Sequence, residues 1–105
     1  MPSTTTPQKR METAVKQSVN ALLSAIANRK AHPSYGYSKS YITEKWQVLQ
    51  GVCLGFDVAF LGGGGGSSAM SLARTLTALD YEWTTIQEAY LGVMRSGRQD
   101  VRTNP

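Results

Sequence analysis

The chain has 105 residues, a formal net charge of +4, 41% apolar residues and 17% charged ones. That is enough for one domain with one hydrophobic core and too apolar for a disordered chain. The basic balance favours a polyanionic partner such as nucleic acid, and the low charge fraction predicts that some apolar surface is covered by a partner.

A single cysteine, Cys53, excludes an internal disulfide framework and fits a reducing, cytoplasmic compartment. The first ten residues are polar and carry no signal-peptide pattern. The most apolar stretch, 48–61, is too short to span a bilayer and is interrupted by Asp57, so no membrane association is expected.

Residues 1–6 read as a loose arm with three successive threonines. Thr6-Pro7 then has the form of a helix start, a capping hydroxyl followed by proline at the first helical position. A first helix is predicted from Pro7 to Arg29, with Met11, Val15, Val19, Leu22 and Ile26 at helical spacing. The segment 32–38 contains proline, glycine and two tyrosines and reads as a connection. Tyr35 and Tyr37 are expected to pack against the edge of the core.

The second helix, predicted over 40–61, is the longest element. One face carries Ile42, Trp46, Leu49, Cys53, Phe56 and Phe60, alternating by three and four, which defines a core seam. A second face carries Tyr41, Val48, Val52, Gly55 and Ala59, with Gly51 beside it. A helix apolar on both faces is buried on more than one side, so this one is expected either at the centre of the fold or in an oligomer interface. The small residues Gly51, Gly55 and Ala59 form a ladder that would let a second helix approach closely, within the chain or between subunits.

Gly62 to Gly66 breaks the helix and, whether natural or introduced, reads as a flexible connection. A third helix follows over 68–79, with Ala69, Leu72, Ala73, Leu76 and Leu79 as its apolar stripe. After a short turn, a fourth helix is predicted from Thr84 or Thr85, each with a capping-box partner three residues on, to a stop at Gly97. Residues 98–105 form a basic tail. No segment keeps the alternation of a strand. The reading is therefore an all-α, single four-helix domain at 7–97 with a long central second helix.

Catalytic chemistry finds little to work with. His32 is the sole histidine, and Cys53 lies on the core seam without an evident base. No His/Cys cluster has metal-ligand spacing, and no close carboxylate pair suggests acid–base work. The glycine run lacks the lysine and Ser/Thr of a phosphate-binding loop. No enzyme activity, cofactor or metal is expected. Asp57 interrupts an apolar helix and could pair with Arg74 or Arg95, or sit at an exposed edge.

Two functional classes follow. In the first, the protein is a small non-enzymatic regulator that binds DNA. Lys9, Arg10, Lys16, Arg95, Arg98 and Arg102 would contact phosphates. The last two helices have the outline of a helix-turn-helix, in which Thr84, Thr85 and Gln87 would reach the duplex. Against that outline, Leu76 stands where a small residue normally sits, Asp80 takes the usual glycine position, and Glu82 and Glu88 have the wrong sign. In the second, it is a protein-binding module, an inhibitor or assembly subunit of the type common among small phage or plasmid accessory proteins. Its contacts would be Tyr35, Tyr37, Val48, Gly51, Val52, Gly55 and Ala59. Self-association into a homo-oligomer is expected in either case.

Overall fold

The computed structural model describes residues 6–63 and 67–96. Among them are four α-helices and no strand: α1 (Pro7–Ala31), α2 (Lys39–Phe56), α3 (Ser68–Ala78) and α4 (Trp83–Arg95). The all-α expectation is met. Of the arm expected at 1–6, residues 1–5 lie outside the described residues, as do the tail expected at 98–105 and the expected stop at Gly97.

Helix α1 starts where the sequence places it. Thr6 Oγ1 accepts a hydrogen bond from the Lys9 amide at 3.1 Å, and Pro7 occupies the first turn. Its core face is Val15, Val19, Leu22, Ala25 and Ile26, all buried. Helix α2 starts one residue before the predicted position, because Ser38 is the cap and accepts from the Tyr41 amide at 3.1 Å. Its seam of Ile42, Trp46, Leu49, Cys53 and Phe56 is buried.

Helix α2 is central: it packs against α1, α3 and α4. Met11 of α1 lies at the C-terminal end of α2, where a Cβ on Gly55 would sit 3.4 Å from Met11 Cε. The two helices are therefore antiparallel. At the opposite end, α4 runs alongside α2. Trp46 and Tyr90 stack with ring centroids 4.5 Å apart and planes 2° from parallel. Thr43 Oγ1 lies 3.2 Å from Tyr90 Oη, and Lys39 Nζ donates to the Ser96 carbonyl at 3.1 Å. That last bond satisfies a carbonyl at the negative end of the α4 dipole.

The C-terminal part of the second predicted helix takes a different form. Residues Asp57–Leu61 form a π-helical turn, wider by one residue than the α-helix before it. Asp57 is buried and held to α3, while Gly62 closes the turn with φ +74°. The Asp57 carbonyl accepts from the Gly63 amide at 3.0 Å. A Cβ on Gly63 would overlap the Asp57 carboxylate. These two glycines are therefore not mere slack in a linker. Gly62 supplies a left-handed backbone and Gly63 a close approach.

Helix α3 turns a different face inward from the one its apolar stripe predicts. Leu72 and Leu76 are buried as expected, but Ala69 is exposed, and Ser71 and Thr75 are buried in its place. The reason is hydrogen bonding to α2: Ser71 Oγ donates to Asp57 Oδ2 at 2.8 Å, and Thr75 Oγ1 donates to the Cys53 carbonyl at 3.0 Å. A buried polar group is tolerated when it is paired.

The fourth helix begins at Trp83, with Glu82 in the cap position and no side-chain capping bond. Thr84 and Thr85 are therefore exposed first-turn residues and not caps. The turn before them sets this register. The Tyr81 amide donates to the Leu76 carbonyl at 2.8 Å, the Asp80 amide donates to the Thr77 carbonyl at 3.0 Å, and Asp80 has φ +68°. This is a Schellman ending, with aspartate where glycine is usual.

Candidate nucleic-acid interface

The structure separates the phosphate-contacting candidates into two groups. Lys9, Arg10 and Lys16 are exposed on the N-terminal half of α1. Lys9 and Lys16, seven residues apart, share one face about 10 Å apart along the axis. Arg95 is exposed at the C-terminus of α4. Because Met11 lies by Gly55 and Ser96 by Lys39, these groups mark opposite ends of the molecule along α2. Sixteen residues of helix separate those two α2 positions, about 24 Å. Arg98 and Arg102 lie outside the described residues.

The hairpin of α3 and α4 is a poor polyanion surface. Thr84 and Thr85 are exposed and Gln87 is half-buried, but Asp80, Glu82 and Glu88 are all exposed on the same hairpin. Arg95 Nη1 lies 3.5 Å from Glu88 Oε1, an exposed ion pair. Arg74 is committed to Asp57: its Nε donates to Oδ1 at 3.0 Å and its Nη2 to Oδ2 at 2.6 Å. Of the pairings open to Asp57 from sequence, the one with Arg74 forms.

Charge is divided unevenly along the chain. Residues 1–45 hold seven Lys/Arg against two acids, whereas residues 46–105 hold four against five. Between Glu12 and Glu44 there is no Asp or Glu at all. These cations thus belong to α1 and the start of α2, on either side of a connection at 32–38 that holds neither Lys nor Arg.

That connection corrects the expectation of tyrosines packed on the core edge. Tyr35 is 75% exposed and Tyr37 is 43% exposed. Each ring stacks on a neighbour instead: Tyr35 on His32 at 4.7 Å between centroids, and Tyr37 on Tyr41 at 4.3 Å. Lys45 Nζ lies 4.9 Å from the centre of the Tyr41 ring, a cation–π distance. Sequence reasoning singled out Tyr35 and Tyr37 but missed His32, Tyr41 and Lys45 as their companions. The signal was present in the helical i, i+4 spacing of 41 and 45 and in the turn spacing of 32 and 35.

The remaining interface candidates lie on the second face of α2. Val48 is 54% exposed, Gly51 and Ala59 are exposed, and Val52 and Gly55 are half-buried. A Cβ at Gly51 would meet nothing within 4 Å. The small-residue ladder therefore makes no helix contact within the chain at Gly51, and Gly55 meets only the Met11 side chain. Val48 and Lys45 line a shallow groove of about 240 Å³ with Ala14, Gln17, Ser18 and Ala21 of α1.

Cys53 is buried, and burial, reinforced by the nearby Asp57 charge, pushes its thiol up to about 12. It holds no nucleophile at neutral pH. Among the described residues, no group of three His, Cys, Asp or Glu side chains could hold a metal ion, and no helix is long and apolar enough to cross a membrane. In comparisons with known proteins, no family model matches the chain, and none of the curated proteins or solved structures proves similar to it.

Proposed function

We propose that the protein is a small, non-enzymatic helical regulator that binds nucleic acid through the basic surface of α1 and the connection that follows it. The observation that carries this reading is the charge division, with seven cations and two acids in residues 1–45. Lys9, Arg10, Lys16 and Lys30 are all exposed there, and exposed cations on one helix track phosphates without entering a groove. The hairpin of α3 and α4 is not the reading surface in this proposal, because its exposed acids would repel the backbone.

The experiment is a salt titration of binding to a labelled duplex. Affinity should fall log-linearly with salt, by about 0.9 in slope per neutralised phosphate. Replacing Lys9, Arg10 and Lys16 together by Ala should lower the slope by up to about 3. Replacing Thr84, Thr85 and Gln87 by Ala should change nothing. The reverse pattern would restore the helix-turn-helix, and no binding at low salt would remove nucleic acid from the account.

A second reading rests on the exposed face of α2. Val48 and the groove beside it offer apolar surface to a protein partner or to a second copy of the chain. Binding there would be insensitive to salt, and Val48→Glu would abolish it without disturbing the core.

A further inference from the structure

We propose that the connection 32–38 and the first turns of α2 form a stacking platform for the unpaired bases of single-stranded nucleic acid. The proposal rests on the nucleic-acid reading above and gives it a substrate class.

The rings are available. Tyr35 is 75% exposed, the highest value among the exposed large apolar side chains of the described residues. One of its faces lies on His32, with planes 22° apart. At that exposure the other face is open. Tyr37, 43% exposed, lies on Tyr41 with planes 27° apart. The Cα atoms of Tyr35 and Tyr37 are at most about 7 Å apart, so both stacked pairs belong to the same short segment.

The rings are also held in place beforehand. The Tyr35 and Gly36 amides both donate to the His32 carbonyl, at 3.1 and 2.6 Å. Arg29 Nη1 donates to the Tyr37 carbonyl at 2.9 Å. Gly36 lies so close to α1 that a Cβ there would come within 2.6 Å of Arg29 Cα and 2.7 Å of the His32 carbonyl oxygen. A platform fixed before binding spends little ordering entropy on its ligand.

The charge around it has the right sign. Lys30 is exposed in the last turn of α1, two residues before His32, and Lys45 sits over the Tyr41 ring. No acid lies from 13 to 43, and Glu44, exposed beside Lys45, is the one acid in the first turns of α2. Aromatic faces set among cations are how proteins hold single strands without reading their sequence. Duplex bases, already stacked on one another, offer no such face.

The test is fluorescence anisotropy with a labelled 12-residue oligothymidylate and a duplex of equal length, at low salt. Tyr35→Ala should weaken the single strand about 5- to 150-fold, the effect of losing one stacked base. Tyr35→Phe should restore affinity, since the π face returns without the hydroxyl. Duplex binding should be unchanged in both variants, and circular dichroism melts should match the parent. Unaltered single-strand affinity in Tyr35→Ala overturns the platform while leaving the phosphate-binding reading intact. Binding of neither strand form by the parent protein overturns both.

Discussion

Arg74 holds the buried Asp57 carboxylate with two hydrogen bonds, one to each oxygen, and so ties the end of the second helix to the third. The Arg74 side chain remains 39% exposed while Asp57 is fully buried. The two partners are therefore unequal. Removing the arginine strands a buried charge, whereas removing the aspartate frees a cation that water can reach. Arg74→Ala should lower the melting temperature more than Asp57→Asn does. The double variant should lose less than the sum of the two. Additive losses in thermal melts would show that the pair does not act as a unit.

The same clasp sets an acid limit. The Arg74 hydrogen bonds, helped by Ser71, hold the Asp57 carboxyl below the usual carboxylate range against the opposing pull of burial. An unfolded aspartate titrates near 3.9. The stabilisation is therefore complete above that value and disappears as pH falls through the lower, folded-state value. Parent and Asp57→Asn should differ in stability at pH 7, and the gap should shrink steadily as pH falls below the unfolded value towards the depressed folded one. A constant gap across that range would place the effect in packing instead of charge.

Cys53 should be inert in the folded protein. With its thiol pushed up to about 12 and its side chain buried, almost no thiolate forms at pH 8. A disulfide-exchange reagent should react within the mixing time in denaturant and only at the rate of opening without it. Rapid labelling of the native protein would mean that the α2–α3 seam opens freely.

The glycines should separate by context. Gly51→Ala should stabilise the chain by about 0.5–1 kcal/mol, because a helical glycine in open space gains propensity at no steric cost. Gly63→Ala should destabilise it by about 1–3 kcal/mol, since the new methyl displaces the Asp57 carboxylate. Urea titrations measure both. If Gly51→Ala instead weakens an oligomer, a second copy covers that face.

Asp80→Gly should also stabilise, by about 0.5–1 kcal/mol, by relieving the left-handed aspartate at the end of α3. A loss in chemical denaturation would mean that the aspartate side chain compensates for its backbone.

Much of this architecture was legible because helices announce themselves through periodicity. The seam from Ile42 to Phe56 and the cap at Thr6 are read directly from spacing and residue type. The start of α4 was not, because two threonines with well-spaced acceptors imitate caps. The Schellman turn, which depends on an aspartate adopting a glycine-like backbone, decided the register instead. The inward face of α3 was hidden for a related reason. Ser71 is buried against an acid fourteen positions earlier and Thr75 against a backbone carbonyl twenty-two positions earlier, and no local pattern encodes those pairings. The candidate site was legible as a list of cations but not as a place. Only the antiparallel run of α1 and α2 shows that Lys9 and Arg95 mark opposite ends, and only the stacked rings show what lies between Glu12 and Glu44.

The uneven sharing of charge has a kinetic side. A body whose cations lie along its first helix, with its acids mostly elsewhere, is turned by an external field as well as drawn by it. Close to a large polyanion it would rotate before contact, so that α1 arrives first. The encounter would then be fast at low ionic strength and would slow sharply as salt screens the torque. Exchanging Lys9 and Lys16 for glutamate would leave residues 1–45 with five cations against four acids, so that most of the torque is lost and collisions begin in no favoured orientation.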